Sequence, residues 1–464
     1  MFKAKNVDIT GGPIFKSIVM FAVPVIIGSL IQVLFNAADL MVVGNLSGEQ
    51  SDIAVGSISA TSHITSLLIN SLIGLSAGAN VLIARTLGQN DKERARTVAN
   101  TAIMTAIVAG IIMGVVCVAF ARTFLISTNC PEDCISQATL YLSICSIGTP
   151  FVFIYNFGAA IIRTTGDTQR PLYYLIISGA LNLVLNIILC FIMTQKVAAV
   201  AIATVTSQFV SAACVLIHLL RLDGPCKLDI KTINFSLSEL GNILKIGLPA
   251  AVNNALFALS NLQVQAEVNA YGKALMSGGG AVSNLESIAV ACCSGFNAAA
   301  LPFVGQNIGA GNPKRVKQSM ATCIFLASSM LLTMSVVIYI FSDFFIGLYL
   351  PGQTEAIAYG KEKMLYVLLP YFITSLYSSF VSALQAFGYS FMPMINSVSC
   401  VLGLRVIWMT FVYPALMQGL ERSIETIKYL YICYPISWIL CLIANSTTFF
   451  IIYSRYKRGK LRAV

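Results

Sequence analysis

The stretch Gly74–Arg96, GLSAGANVLIARTLGQNDKERAR, returns without a gap as Gly295–Lys317, GFNAAALPFVGQNIGAGNPKRVK. Gly74, Ala77, Ala79, Gly88 and Arg94 recur as Gly295, Ala298, Ala300, Gly309 and Arg315. Outward from this pair, Gly166 and Pro171 in RTTGDTQRP find counterparts in Gly388 and Pro393 of QAFGYSFMP at nearly the same offset. Pro24 and Pro150 likewise find Pro249 and Pro370. Matches held in register over roughly 220 residues indicate a duplicated unit, not chance similarity in low-diversity sequence.

Composition says what the unit is made of. Of 464 residues 57% are hydrophobic and only 10% charged, with a mean hydropathy of +0.81; a soluble domain carries about 25% charged residues. Too little polar material remains to cover a water-facing surface, so a soluble enzyme or nucleic-acid binder is excluded despite the net charge of +10. A bilayer core takes about 20 apolar residues per helix, which leaves room for about a dozen crossings and no sizeable extramembrane domain. Apolar segments run near Ile14–Phe35, Ile53–Ala84, Val98–Phe120, Ala138–Ile162, Leu172–Met193 and Val197–Leu220, then Ile243–Asn269, Ala281–Gly305, Met320–Phe341, Met364–Ala386, Phe391–Tyr413 and Leu430–Ile452. They are apolar throughout their length, unlike the alternating ten-residue strands of a membrane barrel. The polar stretch Met1–Gly12 followed by a long apolar segment without a small-residue cleavage signal predicts a retained first helix.

The sequence therefore predicts an all-α polytopic membrane protein. Twelve transmembrane helices form two pseudo-symmetric six-helix lobes around a central cavity, residues 1–225 the N-lobe and 226–464 the C-lobe with a short basic tail. An even number of spans per copy gives both copies the same orientation, related by an axis along the membrane normal, and rocking of two such lobes is a physical route to alternating access. Of the 29 basic residues, 21 fall on the side of the termini, 7 on the other, and Arg405 lies within a span, which places both termini in the cytoplasm. The tail Arg455, Lys457, Arg458, Lys460 and Arg462 reads as a contact for anionic lipid rather than nucleic acid.

Charge inside a bilayer costs at least about 2.5–3.5 kcal/mol per group near the centre, so embedded charges need a reason. Asp39 follows Gln32 and Asn36 at helical spacing, forming one polar stripe on an apolar helix. Either it reaches the outer interface or caps a neighbour, or the stripe faces protein or water and the carboxylate works there. Asn182 and Asn186, and Thr204 and Gln208, stand one turn apart on later segments; such side chains are interhelical hydrogen bonders or oxygen ligands for a hard cation. In the second half, Glu267 either snorkels to the interface or meets substrate, and Glu286, deeper, is the better candidate for recognising a substrate cation. Arg405 reads first as a structural ion pair or carbonyl binder and second as a substrate contact. Tyr155, Phe157, Tyr366, Tyr371 and Tyr377 are candidate cavity walls, of which Tyr155 and Tyr371 are carried forward.

Other signals carry less. Thirteen cysteines without a CxxC pair, with His63 and His218 the only imidazoles, point away from a metal or redox centre, although Cys130 and Cys134 have the spacing for a local disulfide. Asn-x-Ser/Thr matches at Asn45, Asn234 and Asn445 are uninformative. Gly278–Gly280 lacks the lysine and serine of a phosphate-binding loop, which disfavours an ATP-driven pump.

Taken together, several stretches resemble one family, the multidrug and toxic compound extrusion (MATE) transporters of bacteria. They are PVIIGSLIQVLFNAADLMVVGNLSG from Pro24, AVGSISATSHITSLLINSLIGLSAGANVLIARTLGQND from Ala54, and IIRTTGDTQRPLYYLIISGALNLVLNIIL from Ile161. The second half adds QVQAEVNAYGKALMSGGGAVSNLESIAV, PFVGQNIGAGNPKRV and Arg405–Trp408. The resemblance covers nearly the whole chain and implies a cation-coupled antiporter, with transported H⁺ or Na⁺ in place of a cofactor, exporting cationic or amphipathic small molecules as a monomer in the bacterial cytoplasmic membrane. It implies that Asp39, Asn156, Asn182, Asn186 and Thr204 surround one cation-coupling site; Gln32, Asn36, Tyr155, Gln208, Glu267, Glu286 and Tyr371, read from the residues themselves, are the candidates for the substrate cavity. The family often has Asp where Asn186 stands, leaving Asp39 the sole acid there. Another branch places acids in the seventh and tenth helices, where this chain has Phe257 and no acid between Met364 and Ala386. Rival readings are a flippase for lipid-linked precursors, which should show several embedded basic residues where only Arg405 is found, and a dedicated metabolite exporter; a membrane-embedded enzyme lacks the paired acids or clustered His and Cys it would need.

Overall fold

A computed structural model describes residues 6–46, 51–128, 130–229 and 235–459. Lys3, Lys5, Asn234, Lys460 and Arg462, and the side chains of Asn45 and His63, lie outside the described residues. All regular structure among the described residues is helical. The helices are α1 (Ile14–Leu46), α2 (Ser51–Gly88), α3 (Lys92–Ser127), α4 (Glu132–Ile147), α5 (Thr149–Thr164), α6 (Gln169–Ile192), α7 (Lys196–Arg221), α8 (Leu237–Ala270), α9 (Lys273–Gly309) and α10 (Pro313–Ile340). They continue with α11 (Ser342–Tyr349), α12 (Thr354–Lys363), α13 (Phe372–Ala386), α14 (Phe391–Ser397), α15 (Leu404–Ile407), α16 (Tyr413–Leu416), α17 (Ile427–Tyr431) and α18 (Cys433–Lys457). Among the described residues eleven helical stretches are long and apolar enough to cross a bilayer, and α4 with α5, bent by 47°, supplies a twelfth when counted as one span.

The breaks fall where the backbone loses a donor. The segment expected as one helix from Ala138 to Ile162 is divided at Gly148, just before Pro150. Its counterpart Pro370 sits in a short 3₁₀ turn, Leu369–Tyr371, preceded by a π-helical turn, Met364–Leu368. Proline cannot make the i→i−4 hydrogen bond, so both repeats loosen at the same place. Further π-helical turns, Val398–Gly403 and Trp408–Val412, flank α15. Gly166 and Gly388, the other repeated pair, both adopt positive φ (91° and 81°) just past the ends of α5 and α13, where a side chain would be strained.

The chain forms two compact units. One holds Met1–Asp8 with Ile27–Ala251, the other Ile9–Ile26 with Val252–Val464. Thus α1 changes unit just past Pro24, and α8 changes unit just past Pro249.

Within the first unit, Arg94 holds the start of α8: its Nε donates to Glu239 Oε1 at 2.7 Å and its Nη2 to Oε2 at 3.5 Å. Within the second unit, Arg315 holds the residues before α1, donating from Nη1 to Gly12 O at 3.0 Å and from Nη2 to Gly11 O at 2.8 Å and Ile9 O at 3.4 Å. Each arginine backbone N–H is in turn capped by the residue three before it, Asp91 for α3 and Asn312 for α10, both at 3.0 Å. The repeated glycines serve the same docking. A Cβ on Gly74 would strike the Ala251 backbone of α8, and one on Gly295 the Ala22 carbonyl of α1.

Candidate functional site

In the first unit the polar residues of α1, α6 and α7 meet. Asn186 Nδ2 donates to Asp39 Oδ1 at 2.5 Å and to Asn182 Oδ1 at 3.2 Å. Asn182 Nδ2 reaches Thr204 Oγ1 at 3.4 Å, and that hydroxyl donates to Val200 O at 2.9 Å. The result is a hydrogen-bonded row, Thr204–Asn182–Asn186–Asp39, across three helices. Gly179 makes room for it: a Cβ there would enter the Phe35 ring, so α1 and α6 approach closely one turn before Asp39 and two turns before Asn186.

The row is short of donors. Asn186 is fully buried, yet its Oδ1 has no hydrogen-bond partner among the described residues, and Gln208 Oε1, beside Gly148, is likewise buried without one. A carboxylate beside a buried amide oxygen that lacks a donor has the chemistry to accept H⁺ or a hard cation. Gln32 and Asn36 are exposed. On a spanning helix exposed amides are better placed against water or protein than against lipid.

Not every expected residue joins. Asn156 turns back, donating to Val152 O at 2.8 Å, and Tyr155 donates to Pro171 O at 3.3 Å, so neither belongs to the hydrogen-bonded row. Conversely, Tyr141 and Cys145 of α4 lie within electrostatic reach of Asp39 although the sequence did not single them out. Cys130 and Cys134 are free thiols; Cys134 is buried against Gly56 of α2.

The second unit has a different polarity. Glu267 pairs with Arg422 at 3.3 Å on an exposed surface. Glu286 lies 3.6 Å from Lys363 Nζ, which also donates to Gly279 O and Ser283 Oγ, so its charge is locally balanced. Tyr371 stands edge-on to Trp438 with ring centroids 5.1 Å apart. Arg405 is fully buried, and it makes no ion pair; its Nη1 donates to Asn261 Oδ1 at 2.7 Å and Ser260 Oγ at 3.2 Å, and its guanidinium lies 4.2 Å from the Tyr434 ring centroid. Of the two structural alternatives, the ion pair finds no acid in reach among the described residues, whereas carbonyl bonding matches the contact to the Asn261 amide oxygen, joined by the Ser260 hydroxyl and the Tyr434 ring.

A duplicated set of membrane-spanning helices, with a buried carboxylate–amide row in one unit, defines a polytopic membrane protein of transporter class. The model of the family described as MatE matches residues 24–192 and 249–411. The chain is 27% identical over 373 residues to "Probable multidrug resistance protein YpnP" of Bacillus subtilis, covering 79% of this chain and 81% of that one. It is 24% identical over 340 residues to the "FAD transporter" of Shewanella oneidensis, covering 72% and 73%. Its fold is similar to a crystal structure of MATE in the bent conformation, with a TM-score of 0.86 at 20% identity, covering 99% of both chains. The chain belongs to the MatE family, that of the multidrug and toxic compound extrusion transporters.

Proposed function

We propose that the protein is a cation-coupled antiporter exporting cationic or amphipathic small molecules across the bacterial cytoplasmic membrane, working as a monomer with both termini in the cytoplasm. The observation that carries this reading is the row Asp39–Asn186–Asn182–Thr204, in which one acid meets the Asn186 amide, whose own oxygen is buried without a donor among the described residues. Asp39 alternates between holding H⁺ or Na⁺ and standing as a carboxylate; each change alters the acceptor that Asn186 meets, and with it the packing of α1 on α6. Energetically a weakly bound ion suffices. One elementary charge moving inward across 100 mV supplies about 2.3 kcal/mol, nearly fiftyfold in a substrate gradient.

The test is uptake of a fluorescent lipophilic cation into inside-out vesicles, with pH and Na⁺ gradients imposed separately. Wild type should accumulate the dye under one gradient, and Asp39→Asn should lose about tenfold or more of that accumulation. Equal uptake by the variant sinks Asp39 as the coupling acid, and no uptake under either gradient sinks export of cations.

A further inference from the structure

Arg405 cannot shed its proton, so its charge is permanent. It lies in the four-residue helix α15 between two π-helical turns, a backbone irregularity that recurs at functional sites. Burial of a cation without an anion is costly, and two neutral acceptors with an aromatic face offset only part of that cost. Arg405 Nε and Nη2 are both buried and have no partner among the described residues.

Its neighbours share the deficit. The Tyr434 ring, which Arg405 overlies, also packs against Trp438 with centroids 5.7 Å apart and Tyr431 at 6.4 Å. Trp438 Nε1 and Tyr431 OH are buried without a partner as well. Arg405 and Trp438, each with a donor that lacks a partner among the described residues, thus pack on one aromatic ring, and Tyr431 packs on it as well. The half-buried acid Glu286 is balanced by Lys363.

The internal repeat sharpens the contrast. Pro249 stands 225 positions after Pro24, so Asn261 falls on the position of Asn36, and α15 falls in the repeat of α6. The same pair of helices thus carries a carboxylate with spare acceptors in the first unit and a guanidinium with spare donors in the second.

We propose that Arg405 receives an anionic head, a carboxylate or phosphate monoanion, of an amphipathic cargo, with Trp438 and Tyr431 completing the donor set. This rests on the transporter reading only in treating the anion as cargo. A planar guanidinium with two free N–H groups suits a two-point contact with such a head.

The experiment uses the full chain in phosphatidylcholine nanodiscs and its two tryptophans, Trp408 and Trp438. Decyl phosphate and decyltrimethylammonium, which share a tail and differ in head charge, are titrated separately. Decyl phosphate should give a saturable fluorescence change, weakened about tenfold or more in Arg405→Gln, with Arg405→Lys in between. Decyltrimethylammonium should show no dependence on Arg405. Absence of a decyl phosphate response in wild type, or equal affinity in Arg405→Gln, overturns the assignment. If Arg405→Gln does not fold, the choice between the two heads in wild type and the drop in Arg405→Lys decide it. A second arm adds phosphatidylglycerol to the discs and measures decyl phosphate uptake into proteoliposomes. Saturation by phosphatidylglycerol with uptake indifferent to Arg405 makes the anion a resident lipid and overturns the cargo assignment. Failure of cation uptake in the vesicle assay would leave these binding results intact, so the two readings fail separately.

Discussion

Asp39 is held by a residue that carries no charge, Asn186. Its position on the Gln32–Asn36–Asp39 stripe is visible as helical spacing, and the pairs Asn182–Asn186 and Thr204–Gln208 are visible for the same reason. What spacing cannot show is that Gly179 admits the Phe35 ring, because close approach depends on the partner helix's rotation and register. Gly179→Val should force that ring aside, an overpacking that costs about 1–3 kcal/mol. Gradient-driven uptake and thermal stability should both fall, and Phe35→Ala in the same chain should restore part of each. Full activity in the single variant would show that the contact between α1 and α6 does not hold the acid in place. Asn156 shows the converse: a residue of suitable type on a suitable helix spends its amide on its own backbone.

At the scale of helices, the repeated motif turns out to be a docking device. Gly74, Arg94 and their counterparts Gly295 and Arg315 were legible as a repeat, yet their purpose was not, since each contacts residues far away in sequence. Arg315→Ala removes three hydrogen bonds to carbonyls preceding α1 while leaving the Asn312 cap of α10 intact. Bonds to a charged donor are worth about 1.5–3 kcal/mol each when buried and less at this partly exposed site, so a loss on the order of 2 kcal/mol is expected. Thermal unfolding of the purified protein in detergent measures it; an unchanged midpoint would mean that the Asn307 Nδ2 bond to Ile9 O and the packing of α1 on α9 hold the segment without Arg315. Helix breaks follow a similar rule. Pro150 and Pro370 were identified as a pair, but the sequence reading ran one straight helix through Gly148, because a proline near a span centre is compatible with either a kink or a full break.

Over the whole chain, hydropathy and the distribution of lysine and arginine carry the topology. A fluorescent-protein fusion after Val464 should be bright and an alkaline phosphatase fusion at the same point inactive in bacterial cells; the opposite pattern would reverse the orientation argued from the basic residues. The membrane-embedded helical architecture, its duplication and its family were settled by local quantities: apolar length, residue spacing and repeated motifs, each of which is a property of a short run of chain. Partnership was settled only in three dimensions. Glu286 proves to lie beside Lys363, Arg405 to meet neutral partners among the described residues, and α1 and α8 each to pass from one compact unit to the other just past a proline. Burial and hydrogen bonding depend on which helix faces are brought together, and in an apolar chain many faces have nearly the same composition, so the choice is made by tertiary packing.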